Sequence, residues 1–80
     1  MTVDTVETQV RSILLRMLDV DEAQVVPSAR LREDLGASSI DFVEFMTALE
    51  NDFDMTIPDE DVPSLATVQS TVDYIAAKTG

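Results

Sequence analysis

The stretch "LGASSIDFVEFMTALENDF", Leu35 to Phe53, joins a glycine, two adjacent serines and an apolar pattern with a helical period. At roughly 100° per residue, Phe42, Phe45, Met46, Leu49 and Phe53 fall on one side of a wheel and form a single stripe suited to burial. Ile40, Glu44, Thr47 and Asn51 lie nearly opposite, with Asp41 and Ala48 on one flank and Val43 and Glu50 on the other. The pattern predicts a helix from about Ser39 to Phe53. Ser38 is a good residue to begin it, because a serine oxygen accepts from one of the unpaired N–H groups of the first turn. Asp41 then places a carboxylate in that turn, where the positive end of the helix dipole favours it. Ser38 is therefore expected to cap the helix, and Ser39 is left with a free hydroxyl.

Outward from this segment the chain reads as further helices. From Val3 to Leu18 the positions Val3, Val6, Val10, Ile13, Leu14, Met17 and Leu18 recur at three- and four-residue steps. Asp19-Val20-Asp21-Glu22 ends that pattern. A long polar loop follows, interrupted by Pro27 and closed by Gly36, with Val25, Val26, Leu31 and Leu35 as the apolar residues that would anchor it. Beyond Phe53, Pro58 suits the first position of a short turn and Pro63 keeps that turn short. Thr67 caps a last helix with Val68, Val72, Ile75 and Ala76 on one face, expected to fray into Lys78-Thr79-Gly80. The expectation is an all-α fold: a small antiparallel four-helix bundle of three main helices and one short one, with a long loop between the first and second. It occupies residues 1–80 as a single domain.

Composition narrows the chemistry. Eighty residues, 45% of them hydrophobic, supply one small core and no apolar run near the ~20 residues of a membrane span. The acids of "MTVDTVE" do not suit a secretory signal, so a cytoplasmic monomer is expected. With no cysteine and no histidine, the chain holds no disulfide, no thiolate or imidazole zinc site, no cysteine nucleophile and no Ser-His-Asp triad. Any thiol chemistry is borrowed. The formal net charge is -11, and Glu33 to Ala77 contains eleven acids with no lysine or arginine. That one-signed half disfavours nucleic acid and favours partners with basic patches.

The serines are not catalytic by this reading, because a serine nucleophile needs a base and the one lysine, Lys78, sits near the end of the chain. The paired acids Asp59-Glu60-Asp61 and Asp19-Asp21-Glu22 read as loop residues. Neither "DVDEAQ" nor "NDFDMT" has the frame of a calcium loop, so no metal site is expected. A free hydroxyl at the first turn of a helix, whose N–H groups favour phosphate, suits covalent modification. Ile40 is on the wrong side for the core and lies among acids, as a docking surface around an attachment point would require.

The block "DLGASSIDFVEFMTALENDFDMTIPDED", Asp34 to Asp61, followed by "TVQSTVDYI", Thr67 to Ile75, resembles the acyl carrier proteins. The resemblance implies a four-helix bundle that is not an enzyme. Its serine at the start of the second helix, here Ser39, is loaded by a phosphopantetheinyl transferase with 4'-phosphopantetheine from coenzyme A. The arm's thiol then carries acyl groups as thioesters among acyl-loading, ketosynthase or acyltransferase-type enzymes of fatty-acid, specialised lipid or polyketide biosynthesis. By the same resemblance Asp41, Glu44 and Glu50 meet basic partner patches, with Ile40 and Thr47 on the docking face. Phe45, Met46, Leu49, Phe53, Ile57, Val68 and Ile75 line the acyl-holding interior. The family motif Asp-Ser-Leu reads Ser38-Ser39-Ile40 here. The cap is conserved in kind, one carboxylate is missing beside the attachment point, and Ile40 is stiffened by β-branching. These departures hint at a dedicated pathway. The alternative is an unmodified acidic helical adaptor that docks through Ile40 and its neighbouring acids.

Overall fold

The computed structural model describes residues 3–79, with helices α1 (Val3–Met17), α2 (Ser39–Phe53) and α3 (Val68–Thr79) and two 3-10 segments, Glu22–Gln24 and Asp59–Ser64. The all-α bundle of three main helices and one short one is what the apolar periodicity predicts. The side chain of Val3, and Met1, Thr2 and Gly80 altogether, lie outside the described residues. α1 packs against both α2 and α3. Val6, Val10, Ile13 and Leu14 meet Phe45, Leu49 and Phe53 from one side and Val68, Val72 and Ile75 from the other. Burying a side chain of this kind contributes roughly 1.5–3 kcal/mol, so these three stripes supply most of the apolar driving force.

Helix ends differ from the sequence reading by small, local amounts. α1 stops at Met17, although the N–H of Leu18 still donates to the Leu14 carbonyl at 2.9 Å. α3 runs through Thr79, whose hydroxyl donates to the Ile75 carbonyl at 2.8 Å, so Lys78 and Thr79, where fraying was expected, are helical in this structure. Pro58 precedes the segment Asp59–Ser64 as its extended cap residue (φ -61°, ψ 145°) and is not its first member. Pro63 sits inside this short segment, where few backbone N–H groups have intrahelical partners to lose. Thr67 caps α3 as expected: its hydroxyl oxygen accepts from Ser70 N at 3.0 Å, and the Ser70 hydroxyl oxygen accepts from Thr67 N at 3.0 Å.

The long loop is stitched into the bundle. Leu31 N donates to the Ala66 carbonyl at 2.9 Å and Val68 N to the Ala29 carbonyl at 3.0 Å, tying the loop to the entry of α3. Val25, Leu31 and Leu35 are buried anchors as predicted, but Val26 is 43% exposed. The cause is local: Val25 faces inward, its neighbour faces out, and a turn closed by Ala29 N on the Val26 carbonyl brings Ala29 into the core instead. Arg30 holds Asp34 through its guanidinium at 3.1 Å and its own backbone N–H at 2.8 Å. The Arg30 side-chain hydrogen bond, seconded by that N–H, keeps the Asp34 carboxyl below the usual carboxylate range.

Behind the segment Asp59–Ser64, the Tyr74 hydroxyl donates to Asp61 Oδ2 at 2.7 Å and links it to α3. That hydrogen bond, helped by burial and the Asp61 and Glu60 charges, pushes the phenol up to about 12. Its unfolded value is near 10. A group whose pKa rises on folding stabilises the fold below the unfolded value, and loses that contribution as pH rises through the folded one. Tyr74 is the chain's one tyrosine, so an ultraviolet phenolate titration reads it alone. The expected midpoint is close to 12, with stability falling between about pH 10 and 12, and Asp61→Asn should bring the midpoint back toward 10.

Candidate functional site

The approach to α2 is constrained residue by residue. Leu35 and Ala37 are buried, and Gly36 between them turns the chain at φ +72°, a left-handed conformation that glycine adopts without the Cβ penalty. Ala37 N donates to the Leu31 carbonyl at 3.0 Å. Ser38 follows in extended geometry (φ -75°, ψ 174°) and caps α2. Its hydroxyl oxygen accepts from Asp41 N at 3.1 Å, and Ser38 N donates to Asp41 Oδ2, also at 3.1 Å. This reciprocal pair satisfies two backbone donors at once. The expected cap is in place.

Ser39 is the first helical residue and is exposed. Its hydroxyl oxygen accepts from Arg32 Nη2 at 3.0 Å. Beside it opens a groove of about 430 Å³ lined by Arg32, Glu33, Ser39, Phe42, Val43, Val62, Pro63 and Ala66. A second groove, about 370 Å³, continues along α2 past Phe42, Val43 and Val62 to Met46, Thr47, Glu50, Ile57 and Asp59. The chemistry on offer is one accessible hydroxyl, a guanidinium hydrogen-bonded to it, and a largely apolar trough leading away. Among the described residues, no cluster of three or more acids is positioned to hold a metal ion.

The other predicted residues separate into outer and inner sets. Ile40 is 71% exposed, so the wheel placed it correctly, and Val43 is 63% exposed on the groove side. Glu44 and Thr47 are exposed, whereas Asp41 and Glu50 are half-buried. Asp41 is occupied by the cap, and Glu50 Oε2 accepts from Ile57 N at 2.8 Å, pulling the chain after α2 back against the helix. The Glu44 side chain forms no hydrogen bond or ion pair among the described residues, which makes it the most available of these three acids to a partner. Phe45, Met46, Leu49, Phe53, Ile57, Val68 and Ile75 are all buried in one cluster. Of these, only Met46 and Ile57 also border a large groove. Phe42, assigned to the stripe, is half-buried and forms the wall shared by both grooves.

Arg32, Val43 and Val62 are groove residues that the sequence reading did not single out. Arg32 carried one usable signal: it is the last cation before the run of acids from Glu33 to Ala77. Val43 had none beyond its place on the flank of the wheel.

A family profile described as a phosphopantetheine attachment site matches residues 8–75. The chain is 41% identical to the acyl carrier protein of Chlorobium phaeobacteroides over 78 residues, covering 98% of this chain and 100% of that one. It is similar in structure to the acyl carrier protein of Enterococcus faecalis, with a TM-score of 0.82 and 36% identity across 96% of this chain and 98% of the other.

Removing the cap hydroxyl tests its structural role. Ser38→Ala should lower unfolding stability by about 1 kcal/mol in urea denaturation followed by circular dichroism, whereas Ser38→Asp should be nearly neutral.

Proposed function

Because the chain belongs to the acyl carrier proteins, a family whose covalent cofactor is 4'-phosphopantetheine, we propose that Ser39 bears the arm and that residues 1–80 act as one carrier unit. The observation that carries the assignment is the division between the two serines. Ser38 Oγ accepts from the backbone N–H of Asp41 as the helix cap, whereas Ser39 Oγ, among the described residues, accepts only from the Arg32 side chain and borders the groove. The residues present fit the group: an accessible hydroxyl to take it, a cation beside that hydroxyl, and an apolar trough along which an arm can lie.

Loading requires a partner. Ser39 Oγ forms the new bond to the phosphorus nearest the pantetheine of coenzyme A, the pyrophosphate P–O bond breaks, and the 3'-phosphorylated adenosine monophosphate half leaves. The serine proton goes to a base of the transferase, since this chain has no histidine and its one lysine is Lys78. Once attached, the arm supplies a terminal thiol on which acyl groups travel as thioesters. The chain is thus a substrate of its partner enzymes and not itself a catalyst.

Docking runs through the outer face of α2. Ile40 and Thr47 give it shape, and Glu44, with Asp41 and Glu50 in support, gives it charge complementary to basic patches on the transferase and on acyl-loading, ketosynthase or acyltransferase-type enzymes. With Ser38 in place of the family's aspartate and Ile40 in place of its leucine, this surface suits matched partners of a dedicated fatty-acid, lipid or polyketide pathway. No helix among the described residues is long and apolar enough to cross a membrane, and the carrier is assigned to the cytoplasm with those enzymes.

Intact-mass measurement after incubation with coenzyme A and a broad-specificity transferase tests the proposal. A single phosphopantetheine increment is expected. Its persistent absence with several transferases, the native host's included, would instead leave the unmodified adaptor reading.

A further inference from the structure

Arg32 is the cation that meets the Ser39 hydroxyl. The chain has five lysines and arginines in all. Arg16 pairs with Asp52 at 3.5 Å, Arg30 with Asp34 at 3.1 Å, Arg11 donates to the Glu22 carbonyl at 3.3 Å, and Lys78 lies 5.5 Å from the centroid of the Tyr74 ring. Among the described residues Arg32, like Arg11 and Lys78, has no carboxylate within ion-pair distance, although the chain around it is strongly acidic. Its guanidinium donates instead to the neutral Ser39 hydroxyl at 3.0 Å. Of the nearby acids, Asp34 is held by Arg30, Asp41 by Ser38 N, and Glu33, which lines the same groove, lies 3.8 Å from Arg30. Position 38, directly before Ser39, carries a serine and brings no competing carboxylate.

Building on the carrier reading, we propose that Arg32 is an arm-binding residue: its guanidinium holds the phosphodiester formed on Ser39 and sets the direction in which the arm leaves the helix. The phosphorus is bonded directly to Ser39 Oγ, so its nonbridging oxygens stand two bonds beyond the atom Arg32 already touches. Loading converts a hydrogen bond to a neutral oxygen into a charge-assisted one, for which the planar guanidinium fork is well matched. It also adds a negative charge to a chain already at -11, and Arg32 offsets that charge where it arises. Arg32 and Ser39 line the same groove as Phe42, Val43 and Val62, so a phosphate fixed by Arg32 keeps the start of the pantetheine beside that apolar lining.

The apo and loaded forms of wild type and of Arg32→Gln, each confirmed by mass, provide the test. At low salt, loading should lower the melting temperature of Arg32→Gln by about 2 °C more than that of wild type, and the difference should vanish near 1 M salt. Arg32→Lys, which keeps the charge and loses the fork, should fall between them. In 15N-labelled wild type, with no variant needed, the Arg32 Nε–H signal should move on loading, and the phosphorus signal of the loaded wild type should differ from that of loaded Arg32→Gln. A merely structural role would shift apo and loaded melting equally. Equal shifts together with an unmoved Arg32 signal in a protein that does carry the arm would overturn this role alone, whereas failure to acquire the arm would overturn the carrier reading beneath it.

Discussion

The reciprocal hydrogen bonds between Ser38 and Asp41 are the constraint on which the site depends. They fix where α2 begins, and the start of a helix decides the direction of every side chain in its first turn. One serine is consumed by the backbone, so the next, about 100° further around the helix, faces outward. The same pair explains why an aspartate can be absent at position 38 without loss of the helix. Serine and aspartate are nearly equal caps, and what differs is a charge beside the attachment hydroxyl, not the geometry of the turn.

That geometry is held from behind by the loop. Gly36 makes a left-handed turn between two buried residues, and backbone bonds from the loop to Ala66 and from Val68 to Ala29 lock it to the entry of α3. The Arg30–Asp34 pair closes the turn from which Arg32 projects. A loop that reads as polar but anchored by apolar residues also delivers a guanidinium to Ser39. The surface ion pairs are solvated and add little stability by themselves.

How much of this was legible depended on whether the governing interaction is local in sequence. The α2 stripe, the exposed Ile40, and the caps at Ser38 and Thr67 follow from three- and four-residue spacings, and the structure agrees with each except at Phe42, which is half-buried at the edge of the stripe. Val26 and Pro58 went astray because neighbouring residues in irregular backbone take their directions from turns, which periodicity does not encode. The contact of Arg32 with Ser39 was not legible, because the two lie seven residues apart across a turn set by Gly36 and the Arg30–Asp34 pair. Glu50 read as a surface acid on the wheel, yet its bond to Ile57 N forms only once the chain folds back after α2.

The central claim is a division of labour between two adjacent hydroxyls, and locating the modification within the loaded protein tests it most directly. Electron-transfer fragmentation of the peptide spanning Leu35 to Phe42 separates the two serines by a single backbone cleavage. The account predicts that the entire added mass lies on Ser39, with Ser38 unmodified. Finding it on Ser38 would contradict the assignment, because that hydroxyl would then be free for attachment and not committed to capping α2.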